Sequence, residues 1–255
     1  GDEAHMFKAK SLTGIMTKMH QCKYRFGLTG TLDGTQTHQL VLEGLFGAVE
    51  KVVTTKELID KSTLADLKIK CIILKHPNIR EKMTYAEELE YLVTNEKRTD
   101  FVVNLLRHLR GNTLCLFQLV EKHGKILNDR MKEEENVYFV YGGTDTSARE
   151  KIRGLVETHS KSTTIASFGV FSTGINIRNI NNIVLASPSK SKIRVLQSIG
   201  RGLRTSSTKD SVLVYDIADD ISYNERRNFT LNHFTERLNI YNEEQFDYDI
   251  SRVKL

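Results

Sequence analysis

Three short constellations carry residue types that could handle a phosphoanhydride. Gly1-Asp2-Glu3-Ala4-His5 sets two carboxylates side by side. Such a pair can divide the work of nucleotide hydrolysis, one holding a magnesium ion through its water shell and the next orienting or deprotonating the attacking water. Leu28-Thr29-Gly30-Thr31-Leu32 ends an apolar run with two hydroxyls around a glycine, a turn that places donors at the carboxyl edge of a parallel sheet. Gln197-Ser-Ile-Gly-Arg201-Gly-Leu-Arg204 spaces two arginines at i and i+3. Both then project from one side of a helix or tight turn, and a guanidinium fork matches the oxygens of a transferring phosphoryl group. Taken singly, each admits a plainer reading: a solvated acidic segment, an ordinary strand-to-loop turn, a surface arginine pair.

The elements that must position these residues alternate. Short β-branched runs at Tyr24–Thr29, Lys68–Leu74, Thr113–Gln118, Val137–Tyr141, Thr163–Ser167, Asn182–Ala186 and Val212–Asp216 read as strands; most are apolar almost throughout, as strands covered on both faces are. Glu96–Leu109, Val120–Lys132, Ser147–Thr158 and Lys190–Ile199 carry helical spacing, and Ser147-Ala-Arg-Glu150 reads as a capping box. Strand and helix alternating through short connections predict an α/β fold with a parallel sheet flanked by helices. The alternation breaks between Leu32 and Lys68, where Asp33-Gly34-Thr35 is turn chemistry and the stretch after Phe46-Gly47 has no clear sheet partner. A boundary near Ala65 follows. Residues 1–64 are too few to bury a core of their own and read as the end of something larger, and residues 65–255 read as a second domain.

The 255 residues are 39% hydrophobic and 27% charged with only 2 Pro, a globular composition rather than a disordered or collagenous one. No apolar run approaches the roughly 20 residues needed to cross a bilayer, and no secretory signal is visible; a soluble protein of the cytoplasm is expected. Cys22, Cys71 and Cys115 share no metal-ligand spacing, nor do the 8 His, so neither a disulfide framework nor a zinc site is expected. The net charge of +5 favours a polyanion only mildly, but its distribution is uneven. Between Ala186 and Arg204 lie five cations (Lys190, Lys192, Arg194, Arg201 and Arg204) and no acid, whereas Glu236 to Asp249 holds five acids against one arginine. Lys190, Lys192 and Arg194 precede the arginine pair by about two helical turns and face either a phosphate backbone or water.

Asp2-Glu3-Ala4-His5, Leu28-Thr29-Gly30-Thr31, Ser167 with Ser172-Thr173-Gly174-Ile175-Asn176, and the run from Gln197 to Arg204 resemble, in this order, motifs two, three, five and six of the superfamily-two DEAH-box helicases. The resemblance extends from Gly1 to about Asp216, and Phe46-Gly47-Ala-Val with Thr55 to Asp60 resembles the link between the two motor domains of that superfamily. It implies two RecA-like domains with ATP and magnesium between them, this chain supplying the end of the first (1–64) and the whole of the second (65–255, with a C-terminal helical tail). Position by position, it implies Asp2 on magnesium, Glu3 activating water and Arg201 and Arg204 on the γ-phosphate. His5, Gly174, Asn176 and Gln197 would lie at the nucleotide, and Thr29, Gly30 and Thr31 would couple hydrolysis to domain movement. Nucleic acid is implied at Gln118, Ser167, Lys190, Lys192 and Arg194, at Phe117 unless that ring is core, and at Arg149, behind the Gly142-Gly143-Thr144 turn, unless it faces solvent. Tyr138, Phe139 and Tyr141 read as sheet packing rather than a base-stacking platform. Asn176 departs from the Asp usual in motif five; its amide can still hydrogen-bond a ribose.

The phosphate cradle Gly-x-x-x-x-Gly-Lys-[Ser/Thr] occurs nowhere in the sequence: Gly124-Lys125 is followed by Ile126 and has Leu119 where the first glycine belongs. A motor of this superfamily needs that loop for the β- and γ-phosphates. The expectation is therefore a C-terminal part, inactive alone, whose partner is an upstream RecA-like domain of the same protein. For the intact protein, the resemblance to bacteriophage members of the superfamily implies an ATP-dependent helicase of DNA recombination, repair and replication. Its expected work is fork regression, junction branch migration and unwinding of RNA–DNA hybrids. The alternative is a non-catalytic nucleic-acid-binding or regulatory module that keeps a motor fold.

Overall fold

A computed structural model describes residues 1–4, 7–30, 36–77, 79, 81–173, 177, 179–188, 191–203, 211–224 and 226–255, with the backbone alone at 36–38, 171–173, 192–194, 197 and 201. Seven strands form one sheet among these residues: β1 (Asp66–Lys75), β2 (Asn112–Phe117), β3 (Val137–Val140), β4 (Ser162–Ser167), β5 (Asn182–Leu185), β6 (Ser211–Asp220) and β7 (Tyr248–Lys254). Their order is β3-β4-β2-β5-β6-β1-β7 and every pairing is parallel. Parallel neighbours need long crossovers. After α1 (Ala9–Lys18), α2 (Gln36–Phe46) and α3 (Thr55–Asp60), these are supplied by α4 (Tyr85–Thr94), α5 (Glu96–His108), α6 (Lys125–Met131), α7 (Thr146–Thr158), α8 (Phe168–Thr173), α9 (Lys192–Gly202) and α10 (Phe229–Glu243).

The pleat of β1 sorts its side chains to two cores. Leu67, Ile69, Cys71 and Ile73 join Phe234 and Tyr241 of α10 on one face, while Ile72 and Leu74 join Val102 and Leu106 of α5 on the other. Strands β2, β4 and β5 are buried at every position; β2 and β5 are accordingly mostly apolar rather than alternating, while β4 buries the small hydroxyl residues Ser162, Thr163, Thr164 and Ser167. Ala4, Leu12, Met16 and Leu42, with Leu45 and Phe46, form a small third cluster apart from both cores, whereas Ile59 and Leu64 already pack against the first. Among the described residues, no helix is long and apolar enough to cross a membrane.

Several expectations are corrected. Tyr24–Thr29 forms no strand; Tyr24, Phe26 and Leu28 stand exposed on alternate positions, an apolar face uncovered among the described residues. The cap of α7 is Asp145, whose carboxylate accepts from Ala148 N at 2.8 Å and from Ser147 Oγ at 2.7 Å, so Ser147 supports the cap instead of being it. The helix expected from Val120 opens with a π-helical turn, Val120–Gly124, before α6 begins. Strand β7 went unread because it lies at the sheet edge with mostly exposed polar residues.

Candidate functional site

The carboxylate pair and the Thr-Gly turn, 25 residues apart in sequence, are brought together by main-chain bonds. Gly1 N donates to Phe26 O at 2.7 Å, Leu28 N to Gly1 O at 2.8 Å and Ala4 N to Leu28 O at 2.9 Å. Ala4 is buried in the small N-terminal core, so Asp2 and Glu3 rise from a fixed base, both exposed, beside half-buried Thr29 and exposed Gly30. Glu3 sits at φ 47°, a left-handed conformation that non-glycine residues rarely hold and that concentrates at functional positions. Asp2 Oδ1 accepts Glu3 N at 2.9 Å, which fixes the first carboxylate across the turn. No cluster of three or more His, Cys, Asp or Glu side chains among the described residues could hold a metal by itself. A single exposed carboxylate nevertheless suits magnesium, which keeps much of its water and takes its remaining ligands from substrate phosphates.

Helix α9 extends beyond the expected Ile199, so Arg201 belongs to its last turn. Its core side is Val195, Ile199 and Leu203. Gly202 lies against Ile183 of β5 so closely that any Cβ would overlap it, whereas Gly200 faces open space; close backbone approach is thus the business of Gly202 alone. Leu203 O accepts Ala65 N at 2.9 Å, tying the arginine segment to the residue before β1. The side chains of Lys192, Arg194, Gln197 and Arg201 are not described, and His5, Thr31, Gly174, Asn176, Lys190 and Arg204 lie outside the described residues.

The carboxyl edge of the sheet carries the residues read as nucleic-acid contacts, and they divide. Gln118 is exposed there. Its main-chain N–H donates to Ser187 Oγ at 3.1 Å, and that oxygen lies 2.9 Å from His123 Nδ1. His123 belongs to the π-helical turn and is 1% exposed; burial, with Arg98 adding to it against the opposing Asp219, pulls its pKa down to about 3. Phe117 is fully enclosed, stacked on Phe139 with centroids 5.5 Å apart. That ring is core, which removes it from the nucleic-acid contacts. Ser167, its register partner on β4, is 7% exposed and likewise closed off. Arg149 is half-buried, and its Nη2 donates to Gly142 O at 3.1 Å and Tyr141 O at 3.4 Å, clamping the Gly142-Gly143 turn from behind. Phe139 lies against Tyr141 and Tyr138 against His159, as sheet packing requires.

Beneath this edge runs buried polar chemistry that the sequence reading missed. Asp219 Oδ1 accepts from Arg98 Nε at 2.8 Å and from His76 Nε2 at 2.9 Å, and Arg98 Nη2 donates to Ala186 O at 2.8 Å. Burial pushes the Asp219 carboxyl up, but Arg98 and His76 outweigh it and hold the group below the ordinary carboxylate range. On the opposite face Asp216 takes Arg237 Nε at 2.8 Å, Arg237 Nη2 at 2.7 Å and the Tyr241 hydroxyl at 2.8 Å, all buried. Two acids inside an apolar strand were the available signal, since buried charge demands a partner.

Residues 96–206 match the helicase conserved C-terminal domain. The chain is 34% identical over 273 residues to the ATP-dependent DNA helicase uvsW of Enterobacteria phage T4, covering 100% of this chain and 54% of that protein. The crystal structure of T4 UvsW matches with a TM-score of 0.64 at 35% identity, over 99% of this chain and 53% of that one. S. cerevisiae Dbp5 bound to RNA and ADP BeF3 shares the fold at a TM-score of 0.59 and 14% identity, over 99% of this chain and 58% of that one. The chain therefore spans about half the length of the relatives it matches. With its all-parallel sheet of RecA-like form, its conserved C-terminal domain and its identity to a phage helicase, the chain belongs to the superfamily-two helicases.

Proposed function

We propose that the chain is the C-terminal part of an ATP-dependent helicase or translocase that remodels branched DNA: regressing forks, migrating junctions and unwinding RNA–DNA hybrids. The observation that carries this reading is the main-chain pairing that sets Asp2-Glu3 beside Leu28-Thr29-Gly30, a carboxylate pair and a hydroxyl turn on one surface. In this reading Asp2 holds the magnesium of ATP, Glu3 orients water, Thr29 and Gly30 with Thr31 relay the state of the site, and Arg201 and Arg204 meet the γ-phosphate. Bound magnesium would supply charge neutralisation at the phosphates. Gln118, Lys190, Lys192 and Arg194 would follow the strand by its phosphates, as a motor indifferent to sequence requires.

Residues 1–64 are proposed as the end of the first motor domain. Ten of the fourteen exposed large apolar side chains named among the described residues precede residue 54, with Val52 91% exposed. That is a surface suited to further protein. The relative DNA helicase of phage T4 supports the DNA substrate.

The test is made on the intact protein. DNA-stimulated ATP turnover should be abolished by Glu3→Gln, and Arg204→Ala should keep nucleotide binding but lose about 10³-fold or more in turnover. The 255 residues alone should not turn ATP over. An intact protein that binds DNA without any turnover would replace this reading with a non-catalytic binding module.

A further inference from the structure

Among the described residues, most aromatic side chains at the carboxyl edge of the sheet are packed away, but Tyr85 and Phe229 are exposed. Tyr85 and Phe229, the first residues of α4 and α10, are 39% and 42% exposed. Their rings meet edge to face, with centroids 6.4 Å apart and planes at 76°, and His233 backs Tyr85 at 5.2 Å. Large exposed aromatic rings in contact with each other are an unusual use of surface.

The backbone under the pair is held firmly. Thr84 caps α4 in a reciprocal box with Glu87. Glu88, one turn after Tyr85 and 2% exposed, reaches across to α10, where Oε1 accepts Phe229 N at 2.8 Å and Oε2 accepts Thr230 N at 2.9 Å. A buried carboxylate from one helix thus satisfies the free amides of the other and favours the positive end of its dipole. The two rings are presented rigidly, so little ordering would be lost when something stacks on them. Arg226 and Arg227 are exposed just before Phe229, and Arg227 Nη2 is steadied by Thr235 Oγ1 at 3.0 Å.

Position supplies the ligand class. Both helices start at the carboxyl edge, after β1 and β6, and the sheet order β2-β5-β6-β1 puts the end of β6 two strands from Gln118 at the end of β2. At the usual strand spacing the two strands lie about 10 Å apart, so both ring-bearing helices follow strands on the Gln118 side of the sheet edge. The geometry points to Tyr85 and Phe229 as a stacking platform for an unpaired nucleobase, continuing the nucleic-acid path from Gln118 with Arg226 and Arg227 at the adjoining phosphates. This rests on the nucleic-acid reading of the same edge proposed above.

The experiment compares the intact wild-type protein with Tyr85→Ala/Phe229→Ala on a short oligothymidylate and on an abasic strand of equal length and charge. Losing the platform should weaken oligothymidylate binding by about 10- to 100-fold, the scale of base–aromatic stacking. The slope of log affinity against log salt should stay unchanged, and the two proteins should bind the abasic strand equally. Tyr85→Phe should keep wild-type affinity. Photocrosslinking of wild-type protein to 5-iodouracil in the strand, with adducts mapped to Tyr85 or Phe229, reads the same contact without any substitution. Equal oligothymidylate affinity in the double variant, an equal loss on the abasic strand, or adducts only elsewhere would each overturn the platform while leaving the helicase reading in place. A wild-type protein that binds neither strand would overturn both.

Discussion

His123 offers a quantitative test of how closed the edge of the sheet is. Its ring is buried, its Nδ1 faces Ser187 Oγ at 2.9 Å and its Nε2 has no hydrogen-bond partner among the described residues. Burial first, then Arg98, bring the pKa from 6.5 to about 3. The unfolded chain takes up a proton on this residue as pH falls through about 6.5, whereas the folded protein does so only near pH 3, so between those values the unfolded state binds more protons and stability falls with falling pH. Each pH unit is worth about 1.4 kcal/mol, which makes the penalty at pH 5 about 2 kcal/mol. In His123→Asn this contribution disappears. Urea unfolding followed by circular dichroism, at pH 7 and pH 5, should show wild type losing about 2 kcal/mol more than the variant between the two conditions. Other titrating groups, Asp219 included, are common to both proteins and cancel in the difference. An identical pH dependence, or a His123 imidazole titrating near 6.5 in the folded protein, would refute the reasoning.

Two further substitutions probe the packing around the site. Asp216→Asn removes the buried carboxylate charge that Arg237 and Tyr241 share and should cost about 3 kcal/mol or more in urea unfolding; a loss below about 1 kcal/mol would refute this. Gly124→Ala would bring a Cβ within 2.5 Å of the Phe117 ring, which cannot retreat because Phe139 lies behind it, so a loss of about 1–3 kcal/mol is expected. Adding Phe117→Leu should recover part of that loss, as measured by thermal melting.

What could be read in the sequence was whatever local pattern encodes. The mostly apolar runs of β2 and β5 announce strands because both faces are covered, whereas the main-chain pairing of residues 1–4 with 26–28 has no local signature. Long-range partners are invisible to local pattern. The strand read over Val212–Asp216 runs on to Asp220 in β6, where Arg237 and Arg98 neutralise Asp216 and Asp219 from distant helices. Tyr24–Thr29 has the alternation of a strand but lacks a strand beside it among the described residues. Phe117 and Tyr85 are both aromatic residues near the same edge; only the stacking of Phe139 decides that one is interior and the other surface.

The place of β1 in the sheet sets a timetable for synthesis. Asp66 pairs with Ser211 and Ile69 with Tyr248, so the earliest strand to leave the ribosome is flanked by the two latest. At about 5–20 residues per second, β1 waits on the order of ten seconds before β6 emerges, and longer for β7. During that interval the smaller sheet β3-β4-β2-β5 can assemble from consecutive segments, while Ile69 and Cys71 to Leu74 remain an uncovered apolar strand seeking an edge. A nascent chain that stalls in this window exposes its stickiest sequence next to an open β5. The helicase fold thus leaves its greatest exposure to misassembly during translation, after most of its sheet has already been made.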